Sequence, residues 1–123
     1  MPHIFTDIVD DYLATWNEPD EQVRAELIRK VFDADAVLID PLAEVAGHDA
    51  INSLITKARE QVAGMDFSRG TTLDGHHDVV RFTWHLTPPG EDEPVVIGFD
   101  VAKLNEAGRI TAIYGFIDRM PQN

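Results

Sequence analysis

The apolar residues of this chain change their spacing partway along it. Through Val62 they recur every three or four positions, and from Val79 they alternate every second position. The first period is that of a helix with one buried face, and the second is that of a half-buried strand. Ile4, Phe5, Ile8, Val9, Tyr12, Leu13 and Trp16 form one stripe running to "NEPD", where Pro19 breaks the helix. Asp20 then caps a second helix, with Val23, Leu27, Ile28, Val31 and Phe32 on its buried side. "DADAVLIDP" reads as a short strand bounded by Pro41 and "LAEVAG" as a loop. A third helix from His48 buries Ile51, Leu54, Ile55, Ala58 and Val62 and stops at Gly64.

The second half is different in kind. "DFSRGTTLDG" is extended but poorly patterned, whereas "DVVRFTWHL" puts Val80, Phe82, Trp84 and Leu86 on one face. Val79, Arg81, Thr83 and His85 take the other face. "VVIGFDVAKL" and "RITAIYGFID" are two more strands, joined by the hairpin loop "NEAG". Helices followed by an antiparallel meander define an α+β chain, with three N-terminal helices on one face of a strongly curved, mostly antiparallel sheet. Such a sheet closed by helices is a cone, and a cone of this size holds a pocket. The 123 residues suffice for a single domain over 1–123 and not for two.

Charge narrows the partners. Ten basic against twenty-two acidic side chains give −12, spread along the chain rather than gathered in a tail. That field repels phosphate backbones and anionic lipid, so nucleic acid and membrane surfaces are poor partners. A small neutral or apolar molecule fits better. With no cysteine, disulfides, thiolate metal sites and cysteine nucleophiles are excluded. The acidic start "MPHIFTDIVDDYL" lacks the basic residues of a signal peptide, and no apolar run reaches membrane-spanning length, which points to the cytoplasm.

Three polar residues stand out against the apolar pattern. Asp40 ends the strand in "LIDP" and suits two roles, a turn initiator before Pro41 or a base at the lip of an apolar pocket. Tyr12 lies on the buried stripe of the first helix, where an aromatic is core unless its hydroxyl has work to do. Asp100 shares its strand face with Gly98, Ala102 and Leu104, the inward face. A carboxylate there needs a partner or a purpose, and Arg81 or Arg109 is the structural alternative.

The order and spacing of "YLATWNEPD", "FDADAVLIDP", "GHDAI", "DVAKLNEAGRI" and "AIYGFID" resemble the nuclear transport factor 2-like superfamily. That superfamily includes ketosteroid isomerases and SnoaL-like polyketide cyclases, and the likeness covers nearly the whole chain. Ketosteroid isomerases use a tyrosine on the first helix, an aspartate before a proline at the end of the first strand, and an aspartate on a later strand. These fall on Tyr12, Asp40 and Asp100. The resemblance implies proton transfer without a cofactor. Asp40 would be the base, and Tyr12 with a neutral Asp100 the donors to an enolate oxygen, a division of roles for which that enzyme family is the standard illustration. Trp16, Phe82, Trp84, Leu86 and His77 would line the ligand space.

"DGHHDVVRFTWHL" departs from the isomerases, because its histidine pair and Trp84 are not required there and Trp84 would narrow a steroid-sized cavity. The chain looks more like SnoaL-like proteins without an assigned reaction, and a fold alone does not deliver an activity. His76 and His77 are neighbours, so in a continuous strand they point to opposite faces and no shared metal is expected. His3, His48 and His85 have no ligand-like spacing. The outward face, with Phe99, Val101, Lys103, Tyr114 and Phe116 beside Arg81 and His85, is too apolar for a solvated surface. A homodimer through that convex face is the expectation, and relatives of this fold pair in the same way.

Overall fold

The computed structural model describes residues 2–121, with side chains from Ile4 onward. In chain order the described residues form α1 (Pro2–Asn17), α2 (Glu21–Val31), β1 (Phe32–Asp40), β2 (Ala43–Ala46), α3 (His48–Gln61), β3 (Asp66–His76), β4 (Val79–Thr87), β5 (Val96–Leu104) and β6 (Ile110–Arg119). The sheet order is β2-β1-β6-β5-β4-β3, and every pairing is antiparallel except β1 with β6. The result is the expected α+β cone. Register slips between Phe32 and Val37, Arg69 and Leu73, Ile97 and Gly98, and Lys103 and Leu104 supply the curvature, since each bulge bends its strand.

Helix boundaries follow local chemistry. Asp20 accepts hydrogen bonds from the Gln22 and Val23 amides at 2.8 and 3.1 Å and caps α2. Gly47 precedes α3 with φ +89°, a backbone conformation that side chains rarely adopt. The core is one contiguous cluster in which Val9, Tyr12, Leu13 and Trp16 of α1 meet Phe32, Phe82, Ala102, Leu104 and Ile113 of the sheet.

Three expectations are corrected. "LAEVAG" is not all loop, because Ala43–Ala46 reverses at Asp40 and pairs antiparallel with β1. The extended reading of "DFSRGTTLDG" holds, since it is most of an eleven-residue strand whose alternation the Arg69/Leu73 slip interrupts. Ile4 is exposed, whereas Phe5 beside it packs against the core. On α2 the buried residue is Arg24 rather than its neighbour Val23, and Phe32 opens β1 instead of closing the helix. The Arg24 guanidinium is held by the Glu18 carbonyl at 3.0 Å, the Asn52 side chain at 2.8 Å and Thr56 at 2.7 Å. It thereby ties the α1–α2 connection to α3.

Candidate active site

Between the helices and the concave sheet face lies a cavity of about 330 Å³. Its walls are apolar side chains such as Leu13, Leu38, Leu54, Phe67 and Ile113, and its mouth carries the exposed Leu42, Phe116 and Met120. Among the described residues the polar side chains that reach it are Tyr12, Asp40, Gln61 and Asp100, besides the indoles of Trp16 and Trp84. Three of the four are the residues that the sequence singles out.

Tyr12 is placed by the α1 stripe and Asp100 by the inward alternation of β5; they are 3% and 4% exposed. The Tyr12 hydroxyl donates to Asp100 Oδ2 at 3.2 Å. Phe32 and Phe82 pack edge-on against the phenol, with centroids at 5.9 and 5.6 Å, and fix its direction. Burial pushes the Asp100 carboxyl up to about 7; hydrogen bonding from Trp84 and Tyr12 opposes the rise and the nearby Asp40 adds to it. No arginine holds it: Arg81 pairs with Asp74 at 3.3 Å on the outer face, and Arg109 is exposed. Burial, then the charge of Asp100, drives the Tyr12 phenol well above its ordinary value. The Trp16 indole nitrogen is buried beside that phenol and favours its ionised form, although it makes no hydrogen bond of normal geometry.

Two glycines make room for this arrangement. Trp84 lies flat across its cross-strand partner Gly98, where an added Cβ would sit 2.1 Å from the ring. At Gly115 a Cβ would meet Asp100 Oδ1 at 2.8 Å and the Asp40 Cβ at 3.2 Å. The two acids therefore approach each other over the bare backbone of β6. Asp40 plays the turn role as well, because its Oδ1 accepts from the Leu42 and Ala43 amides at 2.9 and 3.0 Å. This is an Asx-type reversal into β2 that leaves Oδ2 outside those bonds.

Tyr12, Asp40 and Asp100 thus converge on one cavity, and Trp16, Trp84 and Leu86 line it. Phe82 does not line it, because it sits one layer deeper behind Tyr12. His77 does not reach it either. It is exposed in the β3–β4 turn with φ +50°, which ends the strand before its side chain can alternate inward. His48 is tied to the Phe32 and Asp33 carbonyls at 3.0 and 3.1 Å, and the His3 side chain is outside the described residues. Sequence reasoning missed Leu42, Phe67, Phe116 and Met120 as cavity residues. Phe67 and Leu42 fall in stretches whose strand pairing or turn carries no local signal. Phe116 reaches the cavity mouth, whereas alternation puts it on the convex face.

A largely apolar concave cavity with a few convergent polar groups is the general form of a small-molecule site. A family model described as the SnoaL-like domain matches residues 9–113, and the chain belongs to that family. A proposed isomerase of the SnoaL-like family from Agrobacterium tumefaciens str. C58 is 36% identical, with a TM-score of 0.89 over 94% of this chain and 98% of that one. A SnoaL-like protein of unknown function from Burkholderia thailandensis E264 shares 9% identity and a TM-score of 0.72, covering 95% and 97% of the two chains. For a proposed polyketide cyclase from Sinorhizobium meliloti the values are 18%, 0.65, 91% and 94%. The last two likenesses concern the fold alone. No curated protein matches the sequence.

Proposed function

We propose that this protein is a cofactor-independent isomerase or cyclase that moves a proton on a neutral carbonyl compound, acting as a cytoplasmic homodimer. The observation that carries this reading is the buried Tyr12–Asp100 hydrogen bond, 3.2 Å long, set in an apolar cavity beside Asp40. Shifting a double bond next to a ketone needs a base that removes a proton from carbon and returns it nearby. Asp40 is that base through Oδ2, and its Oδ1 bonds to the chain hold the carboxylate still. The enolate oxygen needs donors already aimed at it in a dry site. A protonated Asp100 supplies one, since it holds its proton up to about pH 7, and Tyr12 supplies the other when its hydroxyl turns from Asp100 Oδ2 to the enolate oxygen.

The test uses small β,γ-unsaturated cyclic ketones, whose conversion to the conjugated enone is read by ultraviolet absorbance. The protein should accelerate this conversion, and Asp40→Asn should lower kcat by about a hundredfold or more while leaving ligand affinity in place. The rate should fall as pH rises through about 7, where Asp100 gives up its proton. A second reading, a ligand-binding module without chemistry, draws on the same Asx-type turn, which gives Asp40 a structural reason to be an acid. Under that reading Asp40→Asn leaves ligand affinity unchanged and no ketone in the panel turns over.

A further inference from the structure

The strand that carries His76 ends at His77, and this brings together two side chains that alternation would separate. His77 takes φ +50°, the left-handed region, and its ring swings back to the side of its neighbour. The Nδ1 atoms of His76 and His77 then lie 3.0 Å apart, with the rings nearly perpendicular at 88° and both side chains exposed. We propose that His76 and His77 form a two-histidine surface site for a first-row divalent cation, with Cu(II) preferred.

Three observations support the assignment. The spacing is the first. Two imidazole nitrogens 3.0 Å apart, each ~2.0–2.1 Å from a shared metal, subtend about 94° at it. That is the cis angle of the square-planar or tetragonal sites that Cu(II) and Ni(II) adopt, and it is tighter than the tetrahedral angle zinc prefers. The second is that the turn is anchored. The Leu104 amide donates to the Asp78 carbonyl at 2.8 Å, Lys103 bonds the Asp78 carboxylate at 2.6 Å, and Gly75 lies against the Phe5 ring. The pair is therefore mounted on backbone held from β5 and from α1. The third is chemical. With no metal, the contact requires one Nδ1–H to donate to the other Nδ1, a demand on tautomers that a cation removes by accepting both lone pairs.

Among the described residues no group of three or more histidine or acidic side chains converges. The remaining coordination positions at this site thus fall to water or to a ligand from outside. Neither histidine lines the cavity, so the site is independent of the function proposed above.

Isothermal titration of CuCl2, NiCl2 and ZnCl2 into tag-free protein carrying His3→Ala tests the assignment, with Cu(II) electron paramagnetic resonance as a second reading. We expect one site per chain, affinity in the order Cu(II), Ni(II), Zn(II), and a spectrum of two equivalent nitrogen ligands. His76→Ala and His77→Asn should each weaken Cu(II) binding by at least the roughly tenfold loss that removing even an outer-shell partner brings. Asparagine tolerates the positive φ and so keeps the turn. Unchanged Cu(II) affinity in either variant, or zinc binding tighter than copper, overturns the proposal.

Discussion

Asp100 is a carboxyl only 4% exposed, and the cost of burying it can be measured. The folded protein holds the Asp100 proton to about pH 7, whereas the unfolded chain releases it near the ordinary value of 3.8. Between those values the folded state binds more protons, so stability falls as pH rises through the window and levels off above it. A tenfold change in proton affinity is worth roughly 1.4 kcal/mol, which makes the loss on the order of a few kcal/mol. Asp100→Asn keeps the shape and removes the charge. Urea unfolding should find this variant more stable than the parent at pH 8 and nearly equal to it at pH 4. An equal difference at both values would mean that Asp100 is charged in the fold throughout. This residue was legible in the sequence because Gly98, Ala102 and Leu104 mark the inward face of its strand. Arg24 was not, because the carbonyls and side chains that receive it come from Glu18, Asn52 and Thr56, partners no local pattern reveals.

At the scale of elements, the site depends on what β6 lacks. Gly115 leaves bare backbone where Asp100 Oδ1 and the Asp40 Cβ come together. Gly115→Ala crowds Asp100 Oδ1, so the carboxyl must shift, and the substitution should cost about 1–3 kcal/mol, the usual range for overpacking. The cause can be isolated by a double-mutant cycle. In an Asp100→Ala background the carboxylate is gone, and the same glycine substitution should cost little, leaving a coupling of about 1 kcal/mol or more. Additive effects would locate the strain in the backbone instead. The three helices and the strands β4, β5 and β6 were readable because each carries a long periodic stretch, and β1 because a short apolar run ends at Pro41. β2 was not, because the four residues Ala43, Glu44, Val45 and Ala46 are too short a stretch to carry a strand signal and are extended by pairing with β1. β3 was blurred by its own bulge, and the turn after it depends on a positive φ at a histidine that no residue type announces.

At the scale of the whole molecule, the convex sheet face remains to be accounted for. Phe99, Val101 and Tyr114 occupy it through the cross-strand pairs Phe99–Phe116 and Val101–Tyr114, and Ile39 continues it beside Tyr114. Tyr114 is 45% exposed in the single chain. Helices cover only the concave side, so a second copy packed on this face would bury the patch around a two-fold axis and leave each cavity to its own subunit. Charge opposes such pairing, because each chain carries −12. The repulsion acts mostly between exposed acids over distances that salt screens, while apolar burial is not weakened by salt. Dimerisation should therefore tighten as sodium chloride rises from low concentration to ~0.3 M. Val101→Asp puts a new charge at the centre of the patch, and sedimentation velocity should find this variant monomeric with its fold intact by circular dichroism. A parent protein that sediments as a monomer at every salt concentration would rule the interface out. A dimer that loosens with salt would mean that ion pairs, rather than Phe99, Val101 and Tyr114, hold the copies together.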